Sequence, residues 1–212
     1  MALAMKIHLQ NQALTPNQTV LTHLLERAVA GDTAAFEQIM IHSQQRVTSV
    51  SWRLLGNEAD VRDASQEVFL RVFKYLHKFN QDQDFFAWIY TITVNVCRDI
   101  SRKRRQHEDR FTGYPEDSEQ GQLAPMVASD NAESALIQNQ QRELIARALD
   151  TLPEKERATI VLRDMEGLST EEVARIMKST ATTVRSQISS GRKKIKAYCD
   201  QQLKRKGASH GL

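Results

Sequence analysis

Apolar side chains recur at intervals of three and four from about Val20 to Arg105 and again from about Ala132 to Leu203. No stretch shows the strict alternation of a half-buried strand, so the spacing predicts helices throughout. Gly31-Asp32 and Gly56-Asn57 punctuate the first run, which reads as an all-α domain of about four helices over 20–105. Pro153, placed to open a helix, Gly167 and Lys178 divide the second run, 132–206. Residues 1–19 carry no sustained period and read as an N-terminal extension, and 207–212 as a tail. Between the runs, 106–131 holds Gly113, Pro115, Gly121 and Pro125 among acids and amides, the composition of a flexible linker. The expected architecture is all-α: two small helical domains joined by a flexible acidic linker, the C-terminal one containing a helix-turn-helix.

Within the first domain, Asp60 to Phe79 aligns Val61, Ala64, Val68, Val72, Leu76 and Phe79 as a buried stripe. The other face shows Arg62, Asp63, Gln66, Glu67, Leu70, Arg71 and Lys74. An outward Leu70 among charges of both signs suits a protein partner better than DNA; the bland alternative is a solvated face laced with weak ion pairs. Phe85 to Arg105 separates into two stripes. Phe85, Ile89, Ile92, Val96 and Ile100 form a core side, while Trp88, Thr91, Asn95, Arg98, Arg102 and Arg105 run from aromatic to amide to guanidinium. That order can receive an unstacked strand: a ring stacks on a base, an amide reads its edge, and arginines hold the backbone. Trp88 borders both stripes and suits a half-core role as well as a stacking one, and Asn95 would also serve as a plain solvent residue.

The second domain carries the sharper signal, LSTEEVARIMKSTATTVRSQISSGRKKI from Leu168 to Ile195. Ser169 followed by Glu172 has the form of a capping box. Val173, Ala174, Ile176 and Met177 supply the buried side of a short helix; Lys178, Ser179 and Thr180 make a turn, and Thr180 can cap the helix that follows. On that helix Val184, Ile188 and Ile195 share one face, and Thr182, Arg185, Ser186, Ser189, Arg192, Lys193 and Lys196 lie opposite. One side packs and the other is cationic, the pattern of a helix that enters the major groove. Arg185 is placed to pair with a guanine.

The net charge of +3 is a weak argument for nucleic acid, but its distribution is not. Arg98 to Arg105 makes one basic run and Arg192 to Lys206 another, separated by an interval rich in Glu and Asp. Cys97 and Cys199 stand in no metal-ligand spacing, which points to a reducing compartment and packing roles. The N-terminus lacks a long apolar segment, and the run from Phe85 to Cys97 is too short and too polar to span a bilayer, so neither secretion nor membrane insertion is expected. No clustered carboxylates, metal-spaced His or Cys, P-loop or nucleophile motif suggests catalysis, and no cofactor or metal is expected.

Four blocks, DVRDASQEVFLRVFKYLHKF, FNQDQDFFAWIYTITVNVCRDI, LPEKERATIVLRDMEGLSTEEVARIM and TTVRSQISSGRKKI, resemble in this order the sigma factors of bacterial RNA polymerase. The resemblance is to the small two-domain extracytoplasmic-function (ECF) group, of sigma-E type, within the sigma-70 family, and it covers about Leu21 to Leu203. It implies a chain without activity of its own that binds core polymerase and directs promoter-specific initiation. Asp63, Gln66, Glu67, Leu70 and Arg71 would dock on the clamp helices of the largest subunit, and the second domain on the flap of the second-largest. Phe79, Asn80, Gln81 and Asp82 would belong to the loop that captures a flipped minus-10 base, with Trp88, Tyr90, Asn95, Arg98, Arg102 and Arg105 serving strand separation and binding. Arg163, Thr182, Thr183, Arg185, Ser186, Ser189, Arg192, Lys193 and Lys196 would read the minus-35 duplex. The acidic linker is similar to one that threads into the RNA exit path.

The resemblance also implies control by an anti-sigma factor, and a cytoplasmic chain on the nucleoid or held at the inner membrane through that inhibitor. The sequence departs from the family pattern at Thr91, where a base is usual, and at Lys178, Ser179 and Thr182, which replace glycine, an apolar residue and glycine around the turn. Gln187 and Ser190 stand in place of common arginines. An autonomous helix-turn-helix regulator, with the first domain binding an effector or forming a dimer, is the competing reading; it leaves the aromatic-to-basic helix without a purpose.

Overall fold

The computed structural model describes residues 16–80, 83–110 and 132–209, and among these there are eight α-helices and no strand. The first four are α1 (Pro16–Val29), α2 (Thr33–Leu55), α3 (Glu58–Tyr75, tightening into a 3-10 turn at Leu76–Lys78) and α4 (Phe85–Arg110). They are followed by α5 (Ala132–Asp150), α6 (Glu154–Ile160, widening into a π turn at Val161–Met165), α7 (Thr170–Ile176) and α8 (Ala181–Ser209). Helix α1 starts four residues ahead of Val20, and α4 continues to Arg110 where the linker was expected to begin. Most of the expected linker, 111–131, lies outside the described residues.

The two Gly-Asx dipeptides each end one helix and start the next. Gly56 takes φ 76° to close α2, and Asn57 accepts the Asp60 amide at 2.8 Å to open α3. Asp32 likewise accepts the Ala35 amide and is gripped by Arg27 at 2.6 Å; these contacts hold its carboxyl below the usual value. Helices α1 to α4 enclose a core containing Ile39, Val47, Val61, Ala64, Val68, Val72, Leu76, Phe79, Phe85, Ile89 and Val96. The α3 stripe is buried as expected, and α4 buries its core stripe with Ile92 and Ile100 partly covered.

The second core, built on Leu149, Leu152, Ile160 to Leu162, Val173, Ile176, Val184 and Ile188, also takes in Val50, Tyr90 and Val94 from the first four helices. Helix α4 packs on α7, and α2 packs on α6 and the π turn, so the two halves share a seam. Val50 and Val94 are buried there, each contributing about 1.5–3 kcal/mol relative to exposure. Arg157 spans the same seam: its guanidinium donates to the Leu54 carbonyl at 3.3 Å and the Asp150 carbonyl at 2.8 Å and pairs with the Asp150 carboxylate at 3.3 Å.

Candidate nucleic-acid interface

In the C-terminal half, the helix-turn-helix forms from local chemistry. The Ser169 hydroxyl accepts the Glu172 amide at 3.2 Å while the Glu172 carboxylate accepts the Ser169 amide at 2.7 Å, closing the capping box and lowering the Glu172 pKa. Helix α7 then ends in a Schellman motif: the Ser179 amide donates to the Ala174 carbonyl at 2.9 Å and the Lys178 amide to the Arg175 carbonyl at 3.2 Å. Lys178 occupies the left-handed position with φ 51°, so a lysine adopts the conformation that glycine ordinarily supplies. The turn, with Lys178 and Ser179 in place of the family's glycine and apolar residue, is therefore an ordinary helix stop. Thr180 caps α8, accepting the Thr183 amide at 3.1 Å.

Helix α8 packs through Val184 and Ile188 and exposes Thr182, Thr183, Arg185, Ser186, Ser189, Arg192, Lys193 and Lys196. Arg185 lies 3.3 Å from Glu171, both side chains about two-thirds exposed. Arg192 makes a two-pronged pair with Asp164 at 2.6 and 2.9 Å, which raises its pKa further. Arg163 is half-buried and donates to the Leu168 carbonyl at 3.0 Å. Gln187 and Ser190 face inward: the Thr159 hydroxyl donates to Gln187 at 2.8 Å, and Ser190 donates to Glu156 at 3.1 Å. Those two positions anchor α8 to α6.

Ahead of α4, Phe79 is buried, meeting Phe85 edge-on with centroids 5.5 Å apart. Trp88 leans on Phe79 at 5.1 Å and on Phe85 at 5.9 Å, half-buried, so one side of the indole is core and the rest remains open. Asn80 is exposed, Asn95 half-buried, and Gln81 and Asp82 lie outside the described residues. Thr91 turns its hydroxyl back to the Ala87 carbonyl at 2.9 Å. Arg102 pairs with Asp99 at 3.1 Å, whereas Arg98 and Arg105 both reach Glu154 across the seam, at 3.4 and 2.6 Å.

Tyr90 departs most from the open stripe. It is buried at the seam and donates its hydroxyl to Glu166, which also pairs with Arg53 at 2.7 Å. Burial first, and then the Glu166 carboxylate, raise the Tyr90 pKa well above its ordinary value. Arg53, Glu154 and Glu166 were not singled out from sequence because their partners lie far along the chain. Among the described residues no group of three His, Cys, Asp or Glu side chains could hold a metal ion.

Helix α3 presents Asp63, Gln66 and Leu70 exposed, with Glu67 and Arg71 half-exposed and joined at 2.6 Å. Phe73, which sequence reasoning passed over, stands beside Leu70 and is as open, its ring edge-on to Phe36 at 5.0 Å. Its signal was available: it falls three residues beyond Leu70, one turn along the same face. The two make an apolar patch rimmed by charge, the composition of a protein-binding surface.

Comparisons with known proteins bear on both halves. Residues 40–107 match the model for sigma-70 region 2, and residues 142–195 that for sigma-70 region 4. The ECF RNA polymerase sigma-E factor of Escherichia coli strain K12 is 33% identical over 175 residues, which span 81% of this chain and 90% of that protein. This chain belongs to the ECF sigma factors. The RNA polymerase sigma-H factor of Pseudomonas aeruginosa is 28% identical over 174 residues, again 81% of this sigma factor and 90% of the relative. Among solved structures, the sigma factor RpoE of Bartonella quintana, crystallised with the anti-sigma factor NepR, shares the fold with a TM-score of 0.65 at 20% identity, over 78% of this chain and 96% of that one. CnrH in complex with the cytosolic domain of CnrY gives 0.62 at 24% identity, over 86% and 98%. Among the described residues of this sigma factor, no helix is long and apolar enough to cross a membrane.

Proposed function

We propose that this sigma factor divides promoter work between its two ends: α8 reads the minus-35 duplex, and α4 with the preceding loop captures and opens the minus-10 strand. The observation that carries the reading is the exposed arc of α8, where Arg185, Ser186, Ser189, Arg192, Lys193 and Lys196 stand on the outside of a capped helix-turn-helix whose other face is core. Early side chains reach base edges and later cations take phosphates, with Thr182 and Thr183 at the helix start and Arg163, from the π turn after α6, touching the same duplex. On α4, Trp88, Asn95, Arg98, Arg102 and Arg105, with Tyr90, supply ring, amide and guanidinium to an unstacked strand, while Phe79 underlies Trp88 and the loop carries Asn80, Gln81 and Asp82.

The α3 face of Asp63, Gln66, Glu67, Leu70 and Arg71, extended by Phe73, docks on the clamp helices of the largest polymerase subunit, and the C-terminal domain on the flap of the second-largest. The domains run 20–105 and 132–206, with the acidic 106–131 lying in the RNA exit path. The factor supplies specificity and melting, and polymerase supplies the chemistry. An anti-sigma factor, of the kind found with the Bartonella quintana neighbour, would silence it, and the factor works in the cytoplasm on the nucleoid or is held at the inner membrane by that inhibitor. Reconstitution with core polymerase tests this directly: sequencing the transcripts started by the pair should return one promoter class with paired upstream and downstream elements. Transcripts without a shared upstream element would defeat the assignment of α8.

A further inference from the structure

The two arginines on the outer face of α8 are held very differently. Arg185 makes one contact of 3.3 Å with Glu171, and both side chains are about two-thirds exposed, so water readily separates them. Arg192 is clamped. Its Nε donates to Asp164 Oδ2 at 2.9 Å and its Nη2 to Asp164 Oδ1 at 2.6 Å, a fork-to-fork pair. The arginine side chain is 61% exposed and the aspartate side chain only 25%, so the acid belongs to the scaffold and the base projects from it. That scaffold is the π turn, whose Val161 and Leu162 are fully buried. Gly191, the residue before Arg192, packs directly on Ile160, the residue before the turn, which brings the two partners within reach.

A guanidinium is planar and offers donors along more than one edge. Asp164 takes the Nε–Nη2 edge, which leaves the Nη1–Nη2 edge pointing away from it. A phosphate can accept from that edge in the same bidentate manner. An arginine that is free in solution must surrender its rotamer freedom to make such a contact, whereas Arg192 has surrendered it already.

We infer that Asp164 is a positioning residue: it holds Arg192 as a preset phosphate clamp that fixes the register of α8 on the duplex. The inference rests on the duplex-reading role proposed for α8. Arg185, free to swing, suits a base edge, and Arg192, fixed in place, suits the backbone, since phosphate contacts position a reading helix and base contacts specify. The consequence is opposite in sign to plain charge. Removing an acid from a DNA-facing surface ordinarily strengthens binding to a polyanion. Removing Asp164 weakens it, because the orientation lost outweighs the repulsion relieved.

The test uses holoenzyme reconstituted with the full chain and a duplex library randomised across the upstream element, read by band shift. Asp164→Ala should lower affinity for the whole pool about three- to fivefold, keep the preferred sequence and flatten the salt dependence, as loss of roughly one phosphate contact requires. Asp164→Asn, which keeps the shape and one acceptor, should show a smaller loss of the same kind and stays informative should Asp164→Ala fold poorly. Asp164→Glu, which retains a carboxylate on the turn, should recover most of the affinity. Arg192→Ala should lose at least as much as Asp164→Ala, and combining the two should add nothing further. Binding that is unchanged or tighter in Asp164→Ala and Asp164→Asn overturns the clamp. So does a loss that persists in full on the Arg192→Ala background, which would mark a purely structural part. Failure of the α8 reading shows separately: if neither Arg185→Ala nor Arg192→Ala alters binding to the library, α8 does not read the duplex, whereas an effect of Arg185→Ala alone sinks only the clamp.

Discussion

Gly191 on α8 lies so close to Ile160 on α6 that a Cβ at this position would stand 2.8 Å from Ile160 Cγ1 and 3.2 Å from Cδ1. The two helices approach nearer than any larger residue allows, and that approach sets how far α8 stands off its scaffold. Gly191→Val should therefore destabilise the protein by about 1–3 kcal/mol through overpacking, despite the better helix propensity of the new residue. Ile160→Ala should relieve part of that loss, so that chemical denaturation of the two single variants and the double gives a non-additive cycle with a coupling of about 0.5–3 kcal/mol. Additive effects would mean that the two residues do not meet.

Lys178 holds a left-handed backbone at φ 51° with an L side chain, a conformation costing roughly 1–2 kcal/mol. Lys178→Gly removes that strain but loses more chain entropy on folding, so the net change should lie between neutral and about 1 kcal/mol of stabilisation. Lys178→Val, branched at Cβ, should be clearly destabilised in the same melts. Equal stabilities for the two variants would show that the Schellman turn does not form.

Tyr90 should resist ionisation in the folded chain. Its pKa is raised by burial and by Glu166, so the neutral phenol belongs to the folded state. The stability it adds is complete below the ordinary tyrosine value of about 10 and is lost as pH climbs from there toward the folded value. Difference absorbance at 295 nm between wild type and Tyr90→Phe should show the Tyr90 phenolate appearing only as the chain unfolds at high pH. Glu166→Gln should bring that transition down in pH.

Cys97 should resist alkylation in the native chain. The thiol is buried and pushed up to about 12, mainly by desolvation, so almost none is thiolate near neutrality. Iodoacetamide followed by mass spectrometry should find Cys97 unmodified until denaturant is added, with the half-buried Cys199 reacting first.

Arg185→Ala should weaken discrimination among minus-35 sequences by about 1–3 kcal/mol, the value of one bidentate base contact, while core polymerase binding stays intact. Lys193→Ala should instead weaken binding evenly across sequences and flatten its salt dependence. Band shifts of holoenzyme on an upstream-element library distinguish the two patterns.

Features determined over a few residues were readable in advance. The capping box at Ser169 and Glu172, the Gly-Asx junctions at 31–32 and 56–57, and the α3 stripe from Val61 to Phe79 depend on side chains no more than about one turn apart, and all form as expected. The seam was not readable. Tyr90, Val94 and Val50 fall outside the core stripe of the first domain, and what buries them arrives from a part of the chain whose approach no local period encodes. Tyr90 and Glu166 are 76 positions apart. Gln187 and Ser190, which stand in place of common arginines, face α6 because the rotation of α8 is set by Gly191 against Ile160, a close contact invisible in a helical pattern.

Helix α6 and its wide final turn carry Glu154 and Glu166 at opposite ends, so one short rod sets the phase between the two fastenings. The π turn at Val161–Met165 holds one more residue per turn than a regular helix, and removing it would swing everything beyond by about 100°. Glu166 would then point away from Arg53 and Tyr90 while Glu154 kept its arginines. A single-residue irregularity thus works as a ruler with two notches, matching the spacing of one half of the molecule to that of the other.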